Sequence, residues 1–323
     1  MPRDQLTAGP VVAVTGATGF IGRHVVEALI EAGYTVRALA RRLPAKDQAE
    51  NDAVSWVLGS LVDDGALKSL VKGASAVVHC AGAIRAISRD GFLAVNADAT
   101  RRLAGIAAAE AKPARFVHLS SLAAREPRLS PYAASKRAGE QALRAFQDKL
   151  PTVILRPPAV YGPGDLETLR VFKMAARGFV LRPMVDRART SLVHVSDVAA
   201  AVLAAMTVEG LPDRPVEFDD GRVGGYTWEE IAQAAGSALR TTPRLIAVPA
   251  AVLYAAGAVA SIASTVAGRA SVLSWSKIPE LLHPDWVADC TELPGYNPSW
   301  SLDQGFKDAV SWYTSRGLLT SNP

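Results

Sequence analysis

The chain has 323 residues, 49% of them hydrophobic and 20% charged, which is enough to bury a full core and too apolar for a disordered polymer. Its 35 basic and 31 acidic residues leave a formal charge of +4, and the basic residues are scattered instead of gathered in a block, so no nucleic-acid partner is expected. Two cysteines, Cys80 and Cys290, stand in no metal-ligand spacing; they point to a reduced, cytoplasmic setting and give no support for a metal site.

Residues 1–10 lack the apolar core of a signal peptide, so export is not expected. A β-branched run at 11–15, a helical stretch at 21–32 and a second strand at 34–40 form a βαβ unit. The alternation continues with a strand at 54–58, a helix near 64–71, a strand at 76–80, a long alanine-rich helix ending near 111 and a strand at 115–120. Parallel strands with crossover helices imply an α/β fold, a Rossmann-type doubly wound sheet.

A helix over 131–147 and a strand over 152–156 complete the pattern, which Pro157, Pro158, Gly162, Pro163 and Gly164 then interrupt. The expected division is a dinucleotide-binding domain over 1–165 with a return segment near 190–206, and a smaller substrate-binding lobe over most of 166–323. Between 245 and 268 no charged residue occurs. That length could span a bilayer, but small residues dominate and Pro249 interrupts it. A helix that covers substrate or rests on a membrane surface fits the composition better.

Three glycines in Thr15-Gly16-Ala17-Thr18-Gly19-Phe20-Ile21-Gly22 stand between the first strand and the first helix. A turn there lets a pyrophosphate approach backbone amides at a helix N-terminus. At the close of the second strand, where an acid would receive the ribose 2′-hydroxyl of NAD, the chain has Arg41 and Arg42 instead. Guanidinium groups suit a 2′-phosphate, so NADP is expected over NAD. Tyr132 and Lys136 lie four residues apart just inside a helix that starts at Pro131, and so share one face. A neighbouring ammonium favours phenolate and is expected to pull the tyrosine pKa toward neutrality. Ser120 and Ser121 follow a strand end, where ligands of open α/β sheets bind. His79, His118 and His194 read as satisfied or edge histidines, and Trp275, Trp286, Trp300 and Trp312 as packing residues.

Together these motifs resemble the extended or atypical branch of the short-chain dehydrogenase/reductase superfamily, over most of the chain. The glycine-rich turn matches TGxxGxxG, His79-Cys80-Ala81-Gly82 the glycine-containing strand end, Asn96 the helix asparagine, and Tyr132 with Lys136 the YxxxK motif. Residues 156–164 resemble RPxxVYGPG, and residues 192–199 resemble FVHVDDVA. The resemblance implies Tyr132 as general acid or base, Lys136 on the nicotinamide ribose, and Ser121, with Ser120 as the alternative, orienting a carbonyl.

The same resemblance implies a cofactor site that includes Ser60, Leu61, Ala81, Gly82, Pro157 and Val160 besides the turn and the two arginines. Ser60 stands where many relatives have an adenine-contacting aspartate, and no RDF-type arginine precedes Leu192. The implied activity is hydride transfer to a ketone, or from a secondary alcohol, of an apolar, lipid-like small molecule such as a sterol or a 3-keto sphingolipid. The alternatives are a nucleotide-sugar epimerase or dehydratase with tightly held NAD, and a non-catalytic NADP-binding subunit. The resemblance also allows a homodimer and peripheral membrane contact.

Overall fold

The structure is a computed structural model and describes residues 9–44, 51–267 and 275–320, with no side chain described over 262–267. The expectation about a leader falls largely on residues 1–8, and the uncharged stretch ends at Gly268; both lie outside the described residues.

A seven-stranded, all-parallel sheet organises the molecule. Its strands are β1 (Val11–Thr15), β2 (Thr35–Ala40), β3 (Val54–Leu58), β4 (Ala76–His79), β5 (Arg115–Leu119), β6 (Thr152–Arg156) and, much later in the chain, β11 (Val216–Glu217), in the spatial order β11-β6-β5-β4-β1-β2-β3. The order reverses between β1 and β4, which opens a crevice at their C-terminal ends. Val12, Val14, Val36 and Val78 are wholly buried on one face, and Ala13, Val77 and Phe116 on the other, as expected of a parallel sheet covered on both sides. Helix α1 (Phe20–Glu31) follows the glycine turn, and α2 (Asp64–Val71) follows β3.

The alanine-rich helix is not continuous. It consists of α3 (Arg89–Leu93), a π-helical turn over Ala94–Asp98 and α4 (Ala99–Ala108). The widened turn sits where Asn96 points its side chain back at Ala83 and packs its carbonyl on Gly139, and such bulges occur often at functional sites. Helix α5 (Pro131–Leu143) is shorter than expected, because a 3-10 turn over Arg144–Phe146 ends it.

Beyond β7 (Ala159–Tyr161) the chain builds α6 (Leu169–Ala176), β8 (Phe179–Pro183) and β9 (Arg189–Thr190). Next come β10 (Leu192–His194) and α7 (Val195–Thr207). The expected return segment is thus a strand that pairs with β7 outside the main sheet, plus a helix that packs on α1. The strand that does rejoin the sheet, β11, has two residues, too few to leave a periodic signal. The rest is α8 (Trp228–Leu239), β12 (Arg244–Val248), α9 (Ala250–Ala267), α10 (Ile278–Leu281), β13 (Asp285–Trp286) and α11 (Leu302–Ser315). A separate core of Tyr161, Phe172, Ile231, Phe306 and Tyr313 holds much of this part together.

The uncharged stretch therefore begins as a strand, β12, and becomes a helix only after Pro249. Among the described residues no helix is long and apolar enough to cross a membrane.

Candidate active site

The glycine turn is shaped by contacts that only glycine permits. Gly16 has a positive φ of 73°, and a Cβ on it would lie 2.6 Å from the Ala81 nitrogen; a Cβ on Gly22 would lie 2.0 Å from the Gly16 carbonyl oxygen. Missing side chains thus bring β1, the strand end at Ala81-Gly82 and α1 into close approach. Gly19 caps α1 without a side-chain hydrogen bond, so the first amides, at Phe20 and Ile21, keep their donors beside exposed Thr18. At the other end of the crevice Arg41 and Arg42 are exposed just past β2, and no carboxylate among the described residues pairs with either. Ser60 and Leu61 are half-buried beside them; the Ser60 carbonyl accepts from the Asp63 amide, and Asp63 caps α2. The cradle left by the glycines and the free arginines fit a dinucleotide.

Ser130 caps α5 by accepting from the Ala133 amide, and Pro131 opens the helix, so Tyr132 and Lys136 sit in its first two turns. Lys136 is buried, and its ammonium donates to the Leu119 carbonyl at 2.7 Å; Gly82 lies opposite, where a Cβ would come within 3.5 Å of that nitrogen. Burial lowers the lysine pKa to about 8, and Glu140 one turn on opposes the shift.

Tyr132 departs from expectation. Burial pushes its pKa up to about 12, the Ser121 hydrogen bond counteracts this, and Glu280 adds to it; Lys136 is not among the causes. The protein's own groups therefore keep Tyr132 a phenol at neutral pH, because desolvation outweighs the lysine field that the spacing suggested.

The two serines divide clearly. Ser121 lines the cleft together with Tyr132 and caps the short turn Leu122–Arg125, whereas Ser120 is buried and donates to Glu140 at 2.6 Å. Ser120 belongs to a buried ionic cluster: Arg156 reaches Glu140 at 2.6 and 2.8 Å and Glu217 at 3.1 Å. This cluster clamps β6, α5 and β11 beneath the site, and no local motif announced it.

A second polar chain runs behind the crevice. The Thr100 hydroxyl donates to the Asn96 carbonyl, so His79 gives its Nε2 proton to Thr100 and accepts at Nδ1 from Thr15. Asn96 in turn donates to Ser135, which donates to the Tyr132 carbonyl. His79 is satisfied as expected. His118 is not, since neither ring nitrogen has a partner although the residue is buried.

Two cavities share part of their lining. The catalytic cleft, about 430 Å³, is lined by Phe20, Ile21, Ser121, Tyr132, Pro157 and Val160, among others. The second, about 410 Å³, lies among Val171, Phe172, Leu192, Trp228, Ile231 and Phe306 of the later part of the chain. Ala159, Thr168, Thr190, Lys277, Glu280 and Trp286 line both, so the two cavities adjoin.

Described residues of the uncharged stretch line neither cavity. Helix α9 backs the lining segment instead, with Gly257 against Ile278 and Tyr254 against Trp275. Trp286 is a cavity wall, not simply a packing residue, whereas Trp300 does pack, stacked on His194. Lys277, Glu280 and Trp286 escaped sequence reasoning. Their one signal was position, as the charged and aromatic residues that follow a long uncharged stretch. Among the described residues no group of acids, histidines or cysteines is arranged to hold a metal ion.

Comparison with known proteins gives three findings. The family model for the NAD dependent epimerase/dehydratase family matches residues 12–216. A protein of Caulobacter vibrioides (strain NA1000 / CB15N) named ceramide reductase is 44% identical over 315 residues, 97% of each chain. Among solved structures, gox2253 superposes with a TM-score of 0.76 at 21% identity, covering 96% of this chain and 99% of its own; MoeE5 in complex with UDP-glucose and NAD gives 0.70 at 23%, covering 96% and 100%. At those identities the structures speak for the fold alone.

Proposed function

Because the chain belongs to the NAD-dependent epimerase/dehydratase family of extended short-chain dehydrogenases/reductases and is an NAD(P)-dependent enzyme, we propose that it reduces the ketone of a long-chain, N-acylated lipid with NADPH. The observation that carries this reading is the cavity walled by apolar side chains of the later part of the chain, which adjoins the cleft at Tyr132. Each methylene buried there contributes roughly 0.8 kcal/mol, so acyl chains can dominate binding without a charged anchor. The whole-length likeness to a protein named ceramide reductase supports the same substrate class.

In this reading the ketone oxygen lies between the Ser121 and Tyr132 hydroxyls. Tyr132, a phenol at neutral pH, donates to that oxygen as negative charge develops. Ser121 fixes the oxygen's direction, and Lys136 holds the sugar of the nicotinamide half. With its pKa near 8, Lys136 can also take up or release a proton close to neutrality. The bound cofactor supplies the hydride. Arg41 and Arg42 select the 2′-phosphate, and Gly16, Gly19 and Gly22 admit the pyrophosphate.

Helix α9 exposes Ala251, Val252, Ala255, Ala256 and Val259, an apolar stripe at helical spacing. In our reading this stripe rests on the membrane that supplies the lipid.

Steady-state oxidation of NADPH with an N-acyl 3-keto sphingoid base in mixed micelles tests the activity. Turnover of the ketone with weak use of NADH is expected. Efficient conversion of a UDP-sugar, with no turnover of the lipid ketone, would overturn the reading.

A further inference from the structure

The segment that lines both cavities carries a cation that no carboxylate among the described residues pairs with. Lys277 lies 4.6 Å from the centroid of the Tyr132 ring and lines both the cleft and the apolar cavity. Among the described residues no carboxylate or carbonyl hydrogen-bonds its ammonium; the aromatic ring is its one recorded contact. An ammonium half-withdrawn from water and lacking an acceptor is costly unless something else supplies one.

The position of this lysine is fixed firmly. One helical turn on, Glu280 accepts from the hydroxyl of Ser130, the cap of α5, and the Trp286 indole donates to the Glu280 carbonyl at 2.9 Å. Arg125, at the end of the turn that Ser121 caps, donates to the Asp285 and Val287 carbonyls at 2.8 Å each. The segment 277–287 is thereby stapled to both pieces of backbone that carry Ser121 and Tyr132. Lys277 keeps its place relative to the proton donor by contacts that do not involve its own charge.

We infer that Lys277 is a specificity-determining residue whose ammonium donates a hydrogen bond to an amide carbonyl of the substrate, a few bonds from the ketone reduced at Tyr132. The inference rests on the reading of this enzyme as a lipid-ketone reductase and adds the group recognised. In a 2-acylamino ketone the amide oxygen stands close enough to the ketone for both to be held at once, one at Ser121 and Tyr132, the other at Lys277. The acyl chain then continues into the cavity beyond. A ketone with the same chain length but no amide would leave the lysine unanswered.

The test compares Lys277→Met with the wild type on two substrates of equal carbon number: an N-acyl 3-keto sphingoid base and a plain long-chain ketone. The expected result is a rise in KM of about 10- to 100-fold for the amide substrate, the worth of one charge-assisted hydrogen bond, with kcat nearly kept and little change for the plain ketone. Lys277→Arg should recover part of the loss. Quenching of tryptophan fluorescence by each lipid should show the same selective loss of binding without turnover. Equal losses on both substrates, or a fall in kcat with a displaced pH profile, would overturn the inference by showing that Lys277 acts on Tyr132 or on the fold. Wild-type turnover of neither ketone would overturn the parent reading instead, and is seen before any variant is made.

Discussion

The half of the molecule that cradles the dinucleotide and the half that surrounds the second cavity are built by different means. In the first, short local motifs set the main features: the Gly16–Gly22 turn between β1 and α1, closed where Gly16 meets Ala81, and strands rich in buried Val, Ala and Leu. In the second, features come from distant residues meeting in short pieces, as where Asp285-Trp286 pairs with Arg189-Thr190, or where Glu280 meets Ser130. The first half is robust because its determinants are local and repeated. The second can change its substrate by exchanging single residues, since few of its contacts are shared with the sheet.

That contrast implies a graded set of effects. The largest belongs to the proton donor where the halves meet: Tyr132→Phe should lower kcat by roughly 10²- to 10⁴-fold while the cofactor Kd stays within a factor of two, because only a hydroxyl is lost. Kinetics with fluorescence titration of NADPH would decide it, and turnover near that of the wild type would remove Tyr132 from its role.

Arg156→Met should be next, leaving buried Glu140 and Glu217 with only the longer contacts to Arg137 and Arg125, at a cost of up to about 3–5 kcal/mol. Thermal unfolding should show a Tm lowered by several degrees; an unchanged Tm would mean that the cluster is solvated or already neutral.

Arg41→Ala should narrow the preference for NADPH over NADH by about 10- to 100-fold without altering NADH binding. Calorimetry that finds the wild type favouring NADH would refute the assignment of the 2′-phosphate.

Acid should weaken the fold. Burial lowers the His79 pKa to about 3 and takes His118 well below its usual value, so both stay neutral in the folded protein. Below an unfolded pKa of about 6.5 the unfolded chain gains protons that the folded one refuses. Stability is then full above that pH and falls as pH drops toward 3, by about 1.4 kcal/mol per pH unit per histidine. Urea unfolding at pH 7 and pH 5.5 measures the slope, which His118→Leu should flatten; an unaltered slope would show that His118 does not contribute.

The smallest effect is expected on the exposed face of α9. Val259→Glu should leave activity in detergent intact and reduce co-sedimentation with phospholipid vesicles several-fold, by placing a charge on an apolar stripe. Leu253, half-buried, is a poorer probe, since charge there would also disturb packing.

The fold class, the glycine turn, the first six sheet strands, and the nomination of Ser121, Tyr132 and Lys136 were legible in the chain alone, because each depends on periodicity, on a turn that only glycine can make, or on spacing along one helix. Even there, spacing misjudged the state of Tyr132, since a pKa follows burial as much as neighbouring charge. That Ser120 is tied to Glu140 and Arg156, which approach from other elements, was not legible. The same holds for β11 in the sheet and for Lys277, Glu280 and Trp286 at the mouth of the apolar cavity. These residues acquire their roles from neighbours 16 to 150 positions away on other elements, and such contacts leave no trace in local sequence, because hydrophobic burial and desolvation act on proximity in space and not along the chain.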